Sequence, residues 1–177
     1  HTIVEDWSGV PFRLPLTHVR DCVAICRQIF DGKRTDYQGQ ALHSKGFRLG
    51  QEIQKPIPIY IAALREKMLT LAGEIGDGLI VNLFPKGALS NILAAHQNGL
   101  ESADRDSSQT EVVCRHQIGI TQDIPNMRDL VRMTFGPYFA TPVYNRYLAW
   151  CGYSREMDLV ASASRRLDKA ALYKALN

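Results

Sequence analysis

The stretch PIPIYIAALREKMLTLAGEIGDGLIVNLF, residues 56–84, sets two apolar runs on either side of an amphipathic segment. Ile57 to Ile61 is short, almost wholly apolar and bounded by prolines, which predicts a strand buried on both faces. From about Glu66 to Ile75 the spacing of Met68, Leu69, Ala72 and Ile75 predicts one inward helical face. Gly76-Asp77-Gly78 turns the chain, and Leu79 to Phe84 predicts a second buried strand. Strand, helix, strand at this length is a parallel crossover unit. The loop between them, Ala62 to Lys67, lies where parallel sheets hold their ligands.

The same grammar continues on both sides. Leu16 to Phe30 carries Val19, Cys22, Val23, Cys26, Ile29 and Phe30 at helical spacing and stops at Asp31-Gly32. Residues 1–15 read as irregular. Residues 33–55 read as an insertion, with short extended pieces at Thr35–Tyr37 and Phe47–Leu49. Downstream, Leu89 to Ala103 predicts a helix with Leu89, Ile92, Leu93, His96 and Leu100 to one side. His96 is expected at the helix surface or the core edge. Glu111 to Thr121 predicts a third strand, long and rich in β-branched residues. Asp123 caps a helix with Pro125 in its first turn. Gly136-Pro137 is expected to interrupt that helix before the aromatic segment Tyr138 to Trp150, and two short helices follow near 156–163 and 167–176.

Three buried strands alternating with helices fit a (β/α)8 barrel or a doubly wound sheet. Three strands do not close a barrel, and a full barrel takes about 250 residues. With 177 residues, barrel material of this kind is a C-terminal portion. The N-terminus, HTIVEDWSGVPF, has neither the basic start nor the apolar centre of a secretory signal. It also lacks an initiator methionine, so the expectation is a processed chain or part of something longer.

Composition narrows the class. With 45 % apolar and 22 % charged residues, the chain has ordinary globular content. A net charge of +3 without aromatic-interleaved basic blocks argues against nucleic-acid binding; Lys33-Arg34 and Arg165-Arg166 read as solvated surface. No apolar run reaches the roughly twenty residues of a membrane span. The four cysteines read as buried free thiols, and a reducing, cytoplasmic setting is expected from them. Cys22 and Cys26 form neither a CxxC pair nor a zinc half-site, and no metal site is expected.

Specific strings carry a resemblance. Residues 56–84 resemble the sixth strand, helix and seventh strand of the luciferase-like monooxygenase superfamily, nearest its F420-dependent oxidoreductase branch. WSGVPFRLPLTHVRDCVAICRQIFDGKRTDYQGQALHSKGFRL (7–49) resembles the preceding helix and the insertion with its Y-x-G piece. ADRDSSQTEVVCRHQIGITQD (103–123) resembles the approach to the eighth strand, and Tyr144 with Gly152-Tyr153 the helices beyond. The likeness runs in order over nearly the whole chain, residues 1–177. It implies an α/β fold of (β/α)8 TIM-barrel type, of which this is the C-terminal portion, about three parallel strands plus helices. It implies F420 or FMN at the C-terminal face, hydride transfer or monooxygenation on a small organic substrate, and a homo-oligomer, commonly a dimer.

By the same resemblance, cofactor-binding positions fall on Ala62, Ala63, Leu64, Arg65 and Lys67. Family members usually have a glycine after the two small residues, letting backbone N–H groups approach a phosphate. Here Leu64-Arg65-Glu66-Lys67 follows instead. Either Arg65 or Lys67 replaces the lost approach with charge-assisted contacts, or the cradle is degraded and Glu66 serves only the helix dipole.

Asn82, a polar residue inside LIVNLF, faces a cofactor or bonds a neighbouring strand. In the third strand, Arg115 and His116 point to opposite faces, and Arg115 at the substrate mouth is one reading. No HExxH, GxSxG, P-loop or GxGxxG is present. The catalytic residues are unassigned. That absence fits chemistry carried by a cofactor, in a family where much of the cofactor contact comes from strands one to four. A non-catalytic, degenerate half-barrel used for binding or assembly is the alternative.

Overall fold

In the computed structural model, which describes residues 2–176, the chain folds as three parallel strands flanked by helices, with a small hairpin to one side. The elements are α1 (Thr2–Ser8), α2 (Pro15–Phe30), β1 (Asp36–Gln38), β2 (His43–Lys45), β3 (Tyr60–Ala62), α3 (Glu66–Ile75), β4 (Gly78–Asn82), α4 (Leu89–Ser102) and β5 (Glu111–Arg115). Four helices close the chain: α5 (Ile124–Ala140), α6 (Pro142–Leu148), α7 (Ser154–Arg165) and α8 (Lys169–Ala175). A kinked segment, Ala149–Tyr153, joins α6 to α7, with Gly152 at φ +104°. The sheet order is β3-β4-β5, both pairs parallel. This is the arrangement of a partial, C-terminal barrel.

Register makes two faces. Ile61 of β3 and Ala63 just beyond it, with Leu79 and Val81 from β4, are buried against Leu69 and Ala72 of α3 and Ile92 and Ala95 of α4. The opposite face carries three rungs: Tyr60, Gly78 and Glu111; Ala62, Ile80 and Val113; Asn82 and Arg115. In a closed barrel this second face is the lumen, built in such layers.

Several boundaries differ from the sequence-based expectation, each for a visible reason. Pairing in the first strand begins at Tyr60 and not at Ile57. Pro56 and Pro58 have no N–H, and the Ile59 N–H donates to Asp77 Oδ2 at 2.7 Å. The third strand ends at Arg115 and not at Thr121, because β4 stops at Asn82 and leaves residues 116–121 nothing to pair with. The hairpin pairs Asp36–Gln38 with His43–Lys45. The expected second piece, Phe47–Leu49, is cut off by Gly46 at φ +83°. Residues 2–8 are helical and not irregular, ending where the Gly9 N–H reaches Glu5 O at 3.0 Å; His1 lies outside the described residues.

Helix α5 runs through Pro137 to Ala140 instead of breaking. A proline near the last turn forfeits one intrahelical bond. Packing holds the helix through it, since Gly136 is buried against Leu172 and Leu176 of the C-terminal segment. All four cysteines are free as expected, but Cys22 is exposed and the other three half-buried. His96 is buried, not at the surface, and its Nε2 has no partner. Among the described residues no helix is long and apolar enough to cross a membrane.

Asp21 of α2 fastens the hairpin to the body. Its carboxylate is buried and accepts the Ala41 and Leu42 N–H groups at 2.8 and 3.0 Å and the Tyr37 hydroxyl at 2.8 Å. The Leu42 and Ala41 N–H groups, against the upward pull of burial and helped by Tyr37, hold this carboxyl below the ordinary value. A depressed folded pKa contributes stability that is present above the unfolded value and lost as pH falls through the folded one. Thermal denaturation followed from about pH 5 downward is therefore expected to show Asp21→Asn with a lower plateau and a shallower acid limb. An acid limb as steep as the parent's would remove Asp21 from this role.

Candidate functional site at the strand ends

The three strands end together. Ala62 leads to Ala63-Leu64-Arg65, Asn82 to Leu83-Phe84-Pro85, and Arg115 to His116-Gln117. Parallel α/β sheets bind ligands at this end because successive loops and helix N-termini converge there.

The six positions expected to bind a cofactor divide by environment. Ala63 is buried among the core residues and faces the helices, so it shapes the loop without offering a side chain. Ala62 is exposed on the lumen face, and Leu64 is half-buried against the core. Arg65 and Lys67 are exposed, and among the described residues neither has an ion-pair or side-chain hydrogen-bond partner. Arg65 occupies the N-cap of α3 with extended backbone and no side-chain cap. The backbone N–H groups of Glu66 and Lys67 have no acceptor among the described residues. Two unmet donors, a helix dipole and two cations make an anion-favouring corner. Glu66, in the first turn, opposes it in part.

Asn82 stands on the lumen face in register with Arg115. Its Oδ1 is buried without a hydrogen-bond partner, an arrangement that native structures rarely leave unexplained. The next residue, Leu83, has φ +51°. A non-glycine residue in that region carries strain of about 1–2 kcal/mol, and such strain concentrates at ligand-handling sites. Arg115 is exposed and has no ion-pair partner among the described residues. The structure thus settles the open question in β5: Arg115 is on the lumen face, and His116 meets the Phe84 ring edge-on at 5.3 Å.

A cavity of about 450 Å³ adjoins these strand ends, bounded by Phe84 and His116 on one side and by Phe135, Leu148, Tyr153 and Met157 on the other. The sequence did not single it out. Its signal was the recurrence of aromatics from Phe135 to Tyr153, read there only as a helical segment. Among the described residues no cluster of three or more metal-ligating side chains occurs.

Comparison with known proteins agrees with this geometry. The 5,10-methylenetetrahydromethanopterin reductase of Archaeoglobus fulgidus is 35 % identical over 131 residues, covering 71 % of this chain and 37 % of its own length. The F420-dependent glucose-6-phosphate dehydrogenase of Gordonia bronchialis is 29 % identical over 98 residues, covering 54 % and 29 %. The chain therefore spans about a third of the curated relatives it matches. In fold, the coenzyme F420-dependent tetrahydromethanopterin reductase of Methanopyrus kandleri superposes with a TM-score of 0.75 at 18 % identity, over 100 % of this chain and 56 % of that one. The family profile described as luciferase-like monooxygenase matches residues 1–173, and with nearly its whole length inside that profile the chain belongs to the luciferase-like monooxygenase family.

Proposed function

We propose that residues 1–177 form the C-terminal part of a luciferase-like barrel whose complete form binds a deazaflavin of the F420 type and moves a hydride to or from a small organic substrate. The observation that carries this reading is the anion-favouring corner at the N-terminus of α3, set beside the unpartnered Asn82 Oδ1. Two unmet N–H groups with Arg65 and Lys67 suit a phosphate-bearing cofactor end, and the missing glycine is offset by charge. Relatives that are F420-dependent enzymes, the Gordonia bronchialis dehydrogenase and the Methanopyrus kandleri reductase, support F420 over FMN. When bound, such a cofactor supplies the hydride chemistry. This chain's residues anchor its anionic end, present Asn82 and Arg115 at the strand ends, and line the lumen with small or apolar groups at Ala62, Ile80 and Val113. A homo-oligomer without nucleic-acid partners belongs to the same proposal.

The test is titration of the full polypeptide carrying this sequence with F420, followed by fluorescence. Lys67→Gln is expected to weaken binding about tenfold, the equivalent of one charge-assisted contact, and Arg65→Gln to weaken it less. Unchanged affinity in the double variant would sink the phosphate role. No binding by the parent would favour the alternative, a non-catalytic module. One observation favours that second reading: side chains larger than glycine occupy the whole loop from Leu64 to Lys67.

A further inference from the structure

The cavity behind the strand ends is built from segments that pay no part to the anion corner, and its walls are unusual. Leu83 enters it in the left-handed region at φ +51°. The kink between α6 and α7, with Gly152 at φ +104°, delivers Tyr153 to it. Left-handed non-glycine residues concentrate where a chain handles a ligand. Apart from Glu156, the buried or half-buried lining is apolar, with Phe135, Phe139, Leu148, Met157 and Leu176. The polar groups are few. Arg115, Gln117 and Tyr153 are exposed, and Glu156 is half-buried in the first turn of α7. Neither Arg115 nor Glu156 has an ion-pair partner among the described residues. An open, mostly apolar cavity of this size with a few polar groups on its walls has the form of a small-molecule site.

We propose that this cavity receives the ring-bearing, mostly apolar body of a small organic ligand that carries an acidic substituent for the Arg115 guanidinium and an N–H or O–H donor for the Glu156 carboxylate. Opposed charges on the β5 and α7 walls fix the ligand's direction, and the flanking rings of Phe84, His116 and Phe135 suit a planar body. That the ligand is the substrate rests on the oxidoreductase reading above; that the cavity binds it does not.

The probe is 8-anilinonaphthalene-1-sulfonate, which has a fused ring, a sulfonate and one N–H, titrated into the full polypeptide without cofactor. One site per chain is expected. Ala175→Phe, which fills the cavity from α8, is expected to weaken binding at least tenfold. Arg115→Gln is expected to weaken it about fivefold, with loss of its salt dependence. The double variant Ile118→Ser/Ile120→Ser, which removes the two most exposed isoleucines, is expected to bind as the parent does. Parent-like affinity in a folded Ala175→Phe variant overturns the proposal, as does loss of the signal in the Ile118/Ile120 variant. Should Ala175→Phe not fold, unchanged affinity in Arg115→Gln overturns it. Lys67→Gln separates the two sites: it is expected to lower F420 affinity and leave the probe untouched, so either reading can fail alone.

Discussion

Replacing Gly99 by alanine is expected to lower the stability of the chain by about 3 kcal/mol, the upper range for forcing extra volume into a packed contact. Alanine in mid-helix is ordinarily worth up to about 1 kcal/mol over glycine, so the expected change has the opposite sign to helix propensity. The reason is the closeness of α3 and α4. A Cβ at Gly99 would lie 1.9 Å from the Thr70 carbonyl oxygen, and one at Gly73 would lie 2.2 Å from the His96 carbonyl oxygen. Both obstacles are backbone, which no rotamer change relieves. The helices would have to part, breaking the Thr70 Oγ1 bond to Ala95 O at 3.1 Å and loosening the cover over Leu69 and Ile92. For a chain of this size the fall in Tm should be about 6–12 °C, read by thermal denaturation. A variant that melts with the parent would mean the two helices lie farther apart than described.

Asp77→Ala is expected to cost about 2 kcal/mol by the same measurement. One carboxylate oxygen accepts the Ile59 N–H at 2.7 Å and the other an Arg27 Nη at 2.8 Å. The same arginine reaches Ile75 O at 3.2 Å, at the C-terminal end of α3. Asp77 thus joins β3, α2 and the turn before β4 at one point. Burial alone would raise its carboxyl, but Arg27 and the Ile59 N–H outweigh it and hold the group below the ordinary value. A hydrogen bond to a charged group is worth about 1.5–3 kcal/mol. Partial exposure of both partners, 42 % for Arg27 and 28 % for Asp77, discounts the pair to about 2 kcal/mol. Asp77→Asn keeps an acceptor for Ile59 and loses the charge, so it should fall between parent and alanine. A null result for Asp77→Ala would assign the fastening of β3 to its ladder bonds alone.

The contrast between elements explains what the sequence discloses. Residues 56–84 were legible as strand, helix and strand because their apolar spacing is a local property. Helix α3 falls on the expected residues. Strand ends were not legible, since a strand ends where its neighbour does: residues 116–121 look like strand by composition, and only the stop of β4 leaves them unpaired. Pro137 is the same lesson in a helix, where contacts with Leu172 and Leu176, more than thirty residues on, carry α5 past a breaker. At the site, the placement of Asn82 near the strand end could be read in advance, because the apolar run around it is a local property. The strain at Leu83 and the cavity lined by the last four helices could not, since both arise from how distant segments meet.

The lowest rung of the lumen face has a further consequence. Gly78 offers no side chain, and the Tyr60 ring lies over it, since a Cβ there would come within 2.2 Å of that ring; its hydroxyl then reaches the Glu111 carboxylate. The end of the sheet away from Asn82 is therefore floored by a tyrosine spanning all three strands. The Tyr60 ring and the Glu111 carboxylate thus fill the space that Gly78 leaves, and the side-chain layer is continuous across all three strands at that end.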